Sequence, residues 1–240
     1  MPEPSPLPPA PTLVGLARVP ADPYVEGYPH FYLRADLAGA YLGAYHQVRA
    51  LGGVLTSSGA IRSLSEAAGE GRSGTSLHYT GRALDLYIRT GMQGPDDPYM
   101  VVRDGGTDEA PLWEVLCASG APRPDHPLFD PSLLRDGEVE HLLWEKGSGY
   151  RTARRRVPHF SLTAVLAAHG WHRIPARAGW RDSYLCVEWW HFQHHGGLAD
   201  GETRFGDELR RVWPAGRVDS SGLPLDAVWS GLAFHLPGER

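Results

Sequence analysis

Ser76-Leu77-His78-Tyr79-Thr80-Gly81-Arg82-Ala83-Leu84-Asp85 and, about a hundred residues later, Glu188-Trp189-Trp190-His191 carry the chemistry of this chain. His78, Asp85 and His191 supply two imidazoles and one carboxylate. Such a three-ligand set leaves one tetrahedral position for water, the arrangement that separates catalytic from structural zinc. Glu188, three residues before His191, is placed to take a proton from that water as it attacks a carbonyl. It can later return the proton to the leaving amine.

The spacing also constrains the backbone. His78 and Asp85 differ by an odd number of positions, so on one unbroken strand they would point to opposite faces of a sheet. Tyr79-Thr80-Gly81 is expected to reset that parity, because Gly81 readily adopts positive φ. A strand then resumes over residues 83–88. The same problem recurs between Glu188 and His191, where a bulge or strand end would let both side chains converge.

Ser-x-His-x-x-Gly-x-Ala-x-Asp followed by Glu-x-x-His resembles the signature of the metallopeptidase group named for lysostaphin, the D-Ala-D-Ala metallopeptidases and sonic hedgehog. Glu188-Trp189-Trp190-His191 followed by Phe192 is most similar to its D-Ala-D-Ala carboxypeptidase and dipeptidase branch, which acts on bacterial cell-wall peptides. The resemblance implies that His78, Asp85 and His191 bind Zn2+ and that Glu188 is general base and acid. Arg62, within Ser58-Gly59-Ala60-Ile61-Arg62-Ser63, is similar to the arginine that steadies the scissile carbonyl oxygen. A tyrosine often precedes that arginine in the carboxypeptidases, where this chain has Ile61. The resemblance spans the motifs between residues 36 and 192. Its hedgehog relatives keep a similar site yet act as signalling ligands, so the ligand set by itself does not establish turnover.

Other conspicuous residues read as structural. Tyr79, Trp189 and Trp190 flank the ligands and are expected in the core, since aromatic side chains mainly bury area. Arg154-Arg155-Arg156 reads as a solvated face. His194-His195 is left out of the metal set, because a fourth protein ligand would close the position hydrolysis needs. Isolated histidines carry little weight in a chain with 12 of them.

The chain has 240 residues and a formal net charge of −5, a balance that argues against a polyanion-binding role. No stretch is apolar for long enough to span a bilayer. Met1-Pro2-Glu3-Pro4-Ser5-Pro6-Leu7-Pro8-Pro9 lacks the basic start and apolar run of a secretory signal, which gives a cytoplasmic expectation; a trimmed signal would return the protein to the cell envelope. Only Cys117 and Cys186 are present, so no disulfide framework is implied, and a single bridge stays open.

The expected organisation is a Pro-rich lead over residues 1–30 and one zinc peptidase-like domain over residues 31–240. Helical spacing of Leu37, Ala40, Tyr41, Ala44, Val48 and Leu51 predicts a helix over residues 36–51, ended by Gly52-Gly53. A strand is expected at residues 54–56, and helices at 111–119, at 162–169 capped by Ser161, and at 207–212. Residues 171–174 and 184–189 look like a strand pair. The 102 residues from 86 to 187 suggest long loops over a cleft, chiefly within residues 86–160. No pattern is legible beyond residue 213. The fold expected is α+β: a mainly antiparallel sheet with helices on one side and zinc in a cleft on the other. The function expected is zinc-dependent hydrolysis of a D-Ala-D-Ala dipeptide or a stem peptide. The alternatives are an intracellular tailoring enzyme acting on a non-wall peptide and a zinc-stabilised binding protein.

Overall fold

The computed structural model describes residues 14–23, 29–66, 73–87, 97–145 and 149–230. It is a mixed α+β fold with three antiparallel sheets and a few helices. Strands β1 (Leu16–Pro20) and β2 (His30–Arg34) form a two-stranded ribbon. The longer first helix, α1 (Ala38–Ala50), follows a 3-10 turn at Ala35–Leu37. It exists for the reason its pattern gives. Leu37, Tyr41, Ala44, Val48 and Leu51 are all buried, and Tyr41 packs edge-on against Phe31 and Trp171. Gly52 leaves the helix at φ +80°, where a Cβ would meet the Pro122 backbone nitrogen at 2.5 Å.

Strand β3 (Ala83–Asp85) belongs to a small sheet in the order β3, β10 (His191–His194), β9 (Trp171–Arg173). A five-stranded sheet is built from β4 (Tyr99–Gly106), β5 (Pro111–Ala118), β6 (Glu138–Glu145), β7 (Gly149–Arg156) and β8 (His159–Ser161). Its order is β7-β6-β4-β5-β8. Among the described residues none of the three sheets closes on itself, and the antiparallel pairing expected of one sheet is divided over three open ones. Helix α2 (Leu162–Ala168) starts where Ser161 accepts a hydrogen bond from the Ala164 N–H at 3.0 Å, as its capping position predicts. It packs between α1, β5 and β9.

Several expectations are corrected. Residues 111–118 form β5 where a helix was expected over 111–119. Trp113, Val115 and Cys117 alternate inward against β4, and period-two burial overrides the proline and glycine signals. The long loops expected within 86–160 share the described part of that interval with a sheet, β4 to β8, and residues 119–134 connect β5 to β6 outside any strand; the polar strands β6 and β7 are hidden from a hydropathy reading by the charges on their outer face. Residues 184–189 hold a 3-10 turn at Tyr184–Cys186, and β9 pairs with β10 instead. Residues 54–56 lie outside any strand, although the Thr56 N–H donates to the Tyr99 hydroxyl at 2.9 Å. Part of the Pro-rich lead is ordered as β1. Residues 1–13 of that lead lie outside the described residues.

A second apolar cluster lies beneath β3. Phe205 and Leu209 of α3 (Phe205–Arg210), Val218 of α4 (Ala215–Asp219) and Trp229 pack on Leu77, Tyr79 and Ala83. Glu208 of α3 is buried and accepts from Arg82 Nε at 2.8 Å and from Arg34 Nη1. The C-terminal residues therefore brace the segment that carries His78. Among the described residues no helix is long and apolar enough to cross a membrane.

Candidate metal centre

His78 reaches the site from a 3-10 turn, Leu77–Thr80, whose entry is capped by the Ser76 hydroxyl. Gly81 ends that turn at φ +65°, with its α-carbon pressed so close to β2 that a Cβ would meet the Arg34 nitrogen at 2.7 Å. The parity problem is resolved where it was expected, by a helical turn rather than a bent strand. β3 then delivers Asp85, which stands directly opposite His191 in the antiparallel register of β3 and β10. Partners in register share a face, so the two side chains project together.

Glu188 resolves the second parity problem differently. It is the only non-glycine residue with positive φ, +57°, among the described residues. Such a conformation costs about 1–2 kcal/mol for an L-residue. The His191 N–H donates to the Glu188 carbonyl at 3.1 Å, closing a tight turn through Trp189 and Trp190 immediately before β10. The strand end thus brings Glu188 and His191 to the same cleft.

The three ligand candidates converge. His78 Nε2 lies 3.2 Å from Asp85 Oδ2 and 3.2 Å from His191 Nδ1, and His191 Nδ1 lies 2.9 Å from Asp85 Oδ1. Bonds of about 2.0–2.2 Å to a tetrahedral ion would separate ligand atoms by about 3.3–3.6 Å, so a small outward shift accommodates a metal. The protonation pattern suits one as well. His78 Nδ1–H donates to the Ala60 carbonyl, which leaves the Nε2 lone pair facing the site. His191 Nε2–H donates to Gln193 Oε1 at 3.3 Å, and the Gln193 amide donates to His195 Nε2 at 2.6 Å. These roles are assigned from the partners, and they leave the Nδ1 lone pair of His191 facing inward. Burial would raise the Asp85 carboxyl pKa, but with no metal bound the imidazoles of His78 and His191, acting as donors whose site-facing protons a metal would displace, hold it well below the usual carboxylate range. Two lone pairs and an anion at such distances are the donor set of a divalent cation.

A cleft of about 860 Å³ opens over this cluster and is lined by Glu188, Arg62, Arg177, Trp190 and Trp229, among others. Arg62 is placed by its own N–H, which donates to the His78 carbonyl at 3.1 Å. Its guanidinium carbon sits 5.2 Å from the Tyr79 ring centroid, and Nη1 is buried with no hydrogen-bond partner among the described residues. Arg177 Nη2 contacts Glu188 Oε1 at 2.5 Å. The cleft residues Arg177, Gln193 and Trp229 escaped the sequence reading. Only Gln193 carried a signal, by alternating with His191 on β10.

The remaining candidates fall elsewhere. Tyr79 and Trp189 are core residues, and Trp190 is buried while also lining the cleft. His194 packs edge-on against Trp171, and His195 touches Gln193 rather than the ligands. Arg154 pairs with Glu140 at 3.1 Å on an exposed face. Cys117 and Cys186 are both free thiols. In comparisons with known proteins, no family model, no curated protein and no solved structure matched the chain significantly.

Proposed function

We propose that this protein is a zinc-dependent peptidase acting on a D-Ala-D-Ala dipeptide or a peptidoglycan stem peptide. The observation that carries the reading is the convergence of His78, Asp85 and His191 in a cleft that also holds Glu188 and Arg62. His78 Nε2, His191 Nδ1 and the Asp85 carboxylate would hold the ion. Zinc in such a site polarises the scissile carbonyl and makes water a stronger nucleophile near neutral pH.

The remaining steps belong to side chains of this chain. Glu188 accepts the proton of the attacking water and returns it to the departing amine, a transfer that typically contributes at least about a hundredfold in rate. Arg62, whose guanidinium borders the cleft, turns an N–H toward the carbonyl oxygen as negative charge develops there. Trp190 supplies an apolar wall, and the buried underside of the site keeps the donors fixed before substrate arrives.

The test is product identification by mass spectrometry after incubating zinc-loaded protein with D-Ala-D-Ala, a stem pentapeptide ending in D-Ala-D-Ala, and an all-L control. Metal-dependent release of D-alanine from the first or second substrate supports the proposal. Release from the dipeptide alone assigns a dipeptidase, and release from the pentapeptide alone assigns a carboxypeptidase. Cleavage of the all-L peptide alone transfers the site to a non-wall substrate. Zinc binding without cleavage of any of them points to a zinc-stabilised binding protein.

A further inference from the structure

Glu188 is engaged. Arg177 Nη2 is shared between Glu188 Oε1 at 2.5 Å and the Leu185 carbonyl at 2.8 Å. The Arg177 side chain is 41% exposed and that of Glu188 12%, so the guanidinium covers the carboxylate from the solvent side. The Arg177 N–H also donates to the Cys186 carbonyl at 2.8 Å, which ties the loop bearing Arg177 to the turn leading into Glu188. An oxygen whose lone pair is occupied by a guanidinium hydrogen cannot accept a proton from attacking water through that same lone pair. The contact takes one of the four lone-pair sites of the carboxylate and pins its orientation, so Glu188 turns freely toward attacking water only as the contact loosens.

The charge of the cleft says what would loosen it. Arg62 and Arg177 balance Asp85 and Glu188, so a divalent cation among them leaves the site positive and favours an anionic ligand. A carboxylate is the anion a guanidinium fork binds best, through paired charge-assisted hydrogen bonds. Arg177 has the solvent exposure to meet one entering the cleft.

We propose that Arg177 is a specificity-determining latch on Glu188, an inference that rests on the peptidase reading. Without substrate, Arg177 holds the carboxylate of Glu188. A peptide whose free C-terminal carboxylate enters the cleft takes over the guanidinium, and Glu188 turns to the attacking water. The enzyme therefore favours peptides cleaved close to a free carboxylate over the same peptides ending in an amide.

The experiment uses zinc-loaded protein and two uncleavable ketomethylene analogues of D-Ala-D-Ala, one ending in a carboxylate and one in a carboxamide. Calorimetry should show the acid bound at least about tenfold more tightly by the wild type. Arg177→Gln should bind the two alike while keeping wild-type zinc content and circular dichroism. Arg177→Lys, which keeps charge without the fork, should fall between them. In parallel, Arg177→Gln should cleave a C-terminally amidated peptide faster than the wild type, a gain that a purely structural arginine would not give. Equal binding of acid and amide by the wild type, or a preference that survives in Arg177→Gln, overturns the latch and leaves the peptidase reading standing. Binding of neither analogue also overturns the latch, while the peptidase reading stands or falls on the cleavage test.

Discussion

Asp85 and His191 face each other across the β3–β10 pair, 2.9 Å apart at Oδ1 and Nδ1, although 106 positions separate them in the chain. The antiparallel register fixes two of the three ligand candidates on one sheet face, and only His78 has to come from outside that pair. Asp85→Asn and His191→Ala should therefore each abolish stoichiometric zinc binding while keeping the fold, read by metal analysis and circular dichroism on the same samples. Full zinc retention in His191→Ala would remove His191 from the ligand set.

Glu188→Gln separates metal binding from turnover. The variant should keep its zinc and lose at least about a hundredfold in kcat. Arg62→Lys should also be slow, because lysine keeps the charge but not the guanidinium geometry. Normal peptide cleavage by Glu188→Gln would assign the proton transfer to another group.

Gln193 should matter to metal affinity without touching the metal. It fixes the imidazole of His191 through Nε2 and is itself held by His195. Loss of such outer support commonly costs about 10–100-fold in affinity. Competition with a chromophoric chelator should show that drop in Gln193→Leu. An unchanged affinity would make the hydrogen bond incidental.

Acid should loosen the C-terminal brace. Burial would raise the Glu208 carboxyl pKa, but Arg82 and Arg34 hold it below its ordinary value in the folded protein. A depressed carboxyl stabilises the fold above its unfolded pKa, and that contribution is lost as pH falls through the folded one. Burial also depresses His194, to about 4, so below its ordinary value near 6.5 the unfolded chain binds the proton that the folded chain refuses. Thermal stability should accordingly decline from about pH 6.5 downward and steepen below the ordinary carboxyl range. Glu208→Gln should cost on the order of 3 kcal/mol at neutral pH, since it leaves two buried arginines short of an anion. A melting temperature indifferent to both changes would contradict this account of the brace.

Each half of the site was legible because its motif is local, Ser76 to Asp85 with its turn at Gly81 and Glu188 to His191, whereas the β3–β10 register that joins the halves across 106 positions is not a local property. α1 was legible for the same reason, through the period of its apolar face. β5 was misread because Pro111 and Gly120 imitate helix punctuation, while the pairing that decides it comes from β4. The β6–β7 pairing leaves no local signature, because its exposed arginines and glutamates pair across strands rather than along one. The support given by Glu208, Trp213 and Trp229 had no local signature at all. Trp213 donates to the Tyr79 carbonyl and Trp229 to the Thr75 carbonyl, contacts that span more than a hundred residues.

The most direct measurement is anomalous diffraction recorded on either side of the zinc absorption edge from crystals of the zinc-loaded protein. The account predicts one zinc peak per chain, within about 2.0–2.2 Å of His78 Nε2, His191 Nδ1 and an Asp85 carboxylate oxygen, with a non-protein fourth ligand facing the Glu188 cleft. A chain without that peak, or a zinc ion closed off by His194 or His195, would contradict it.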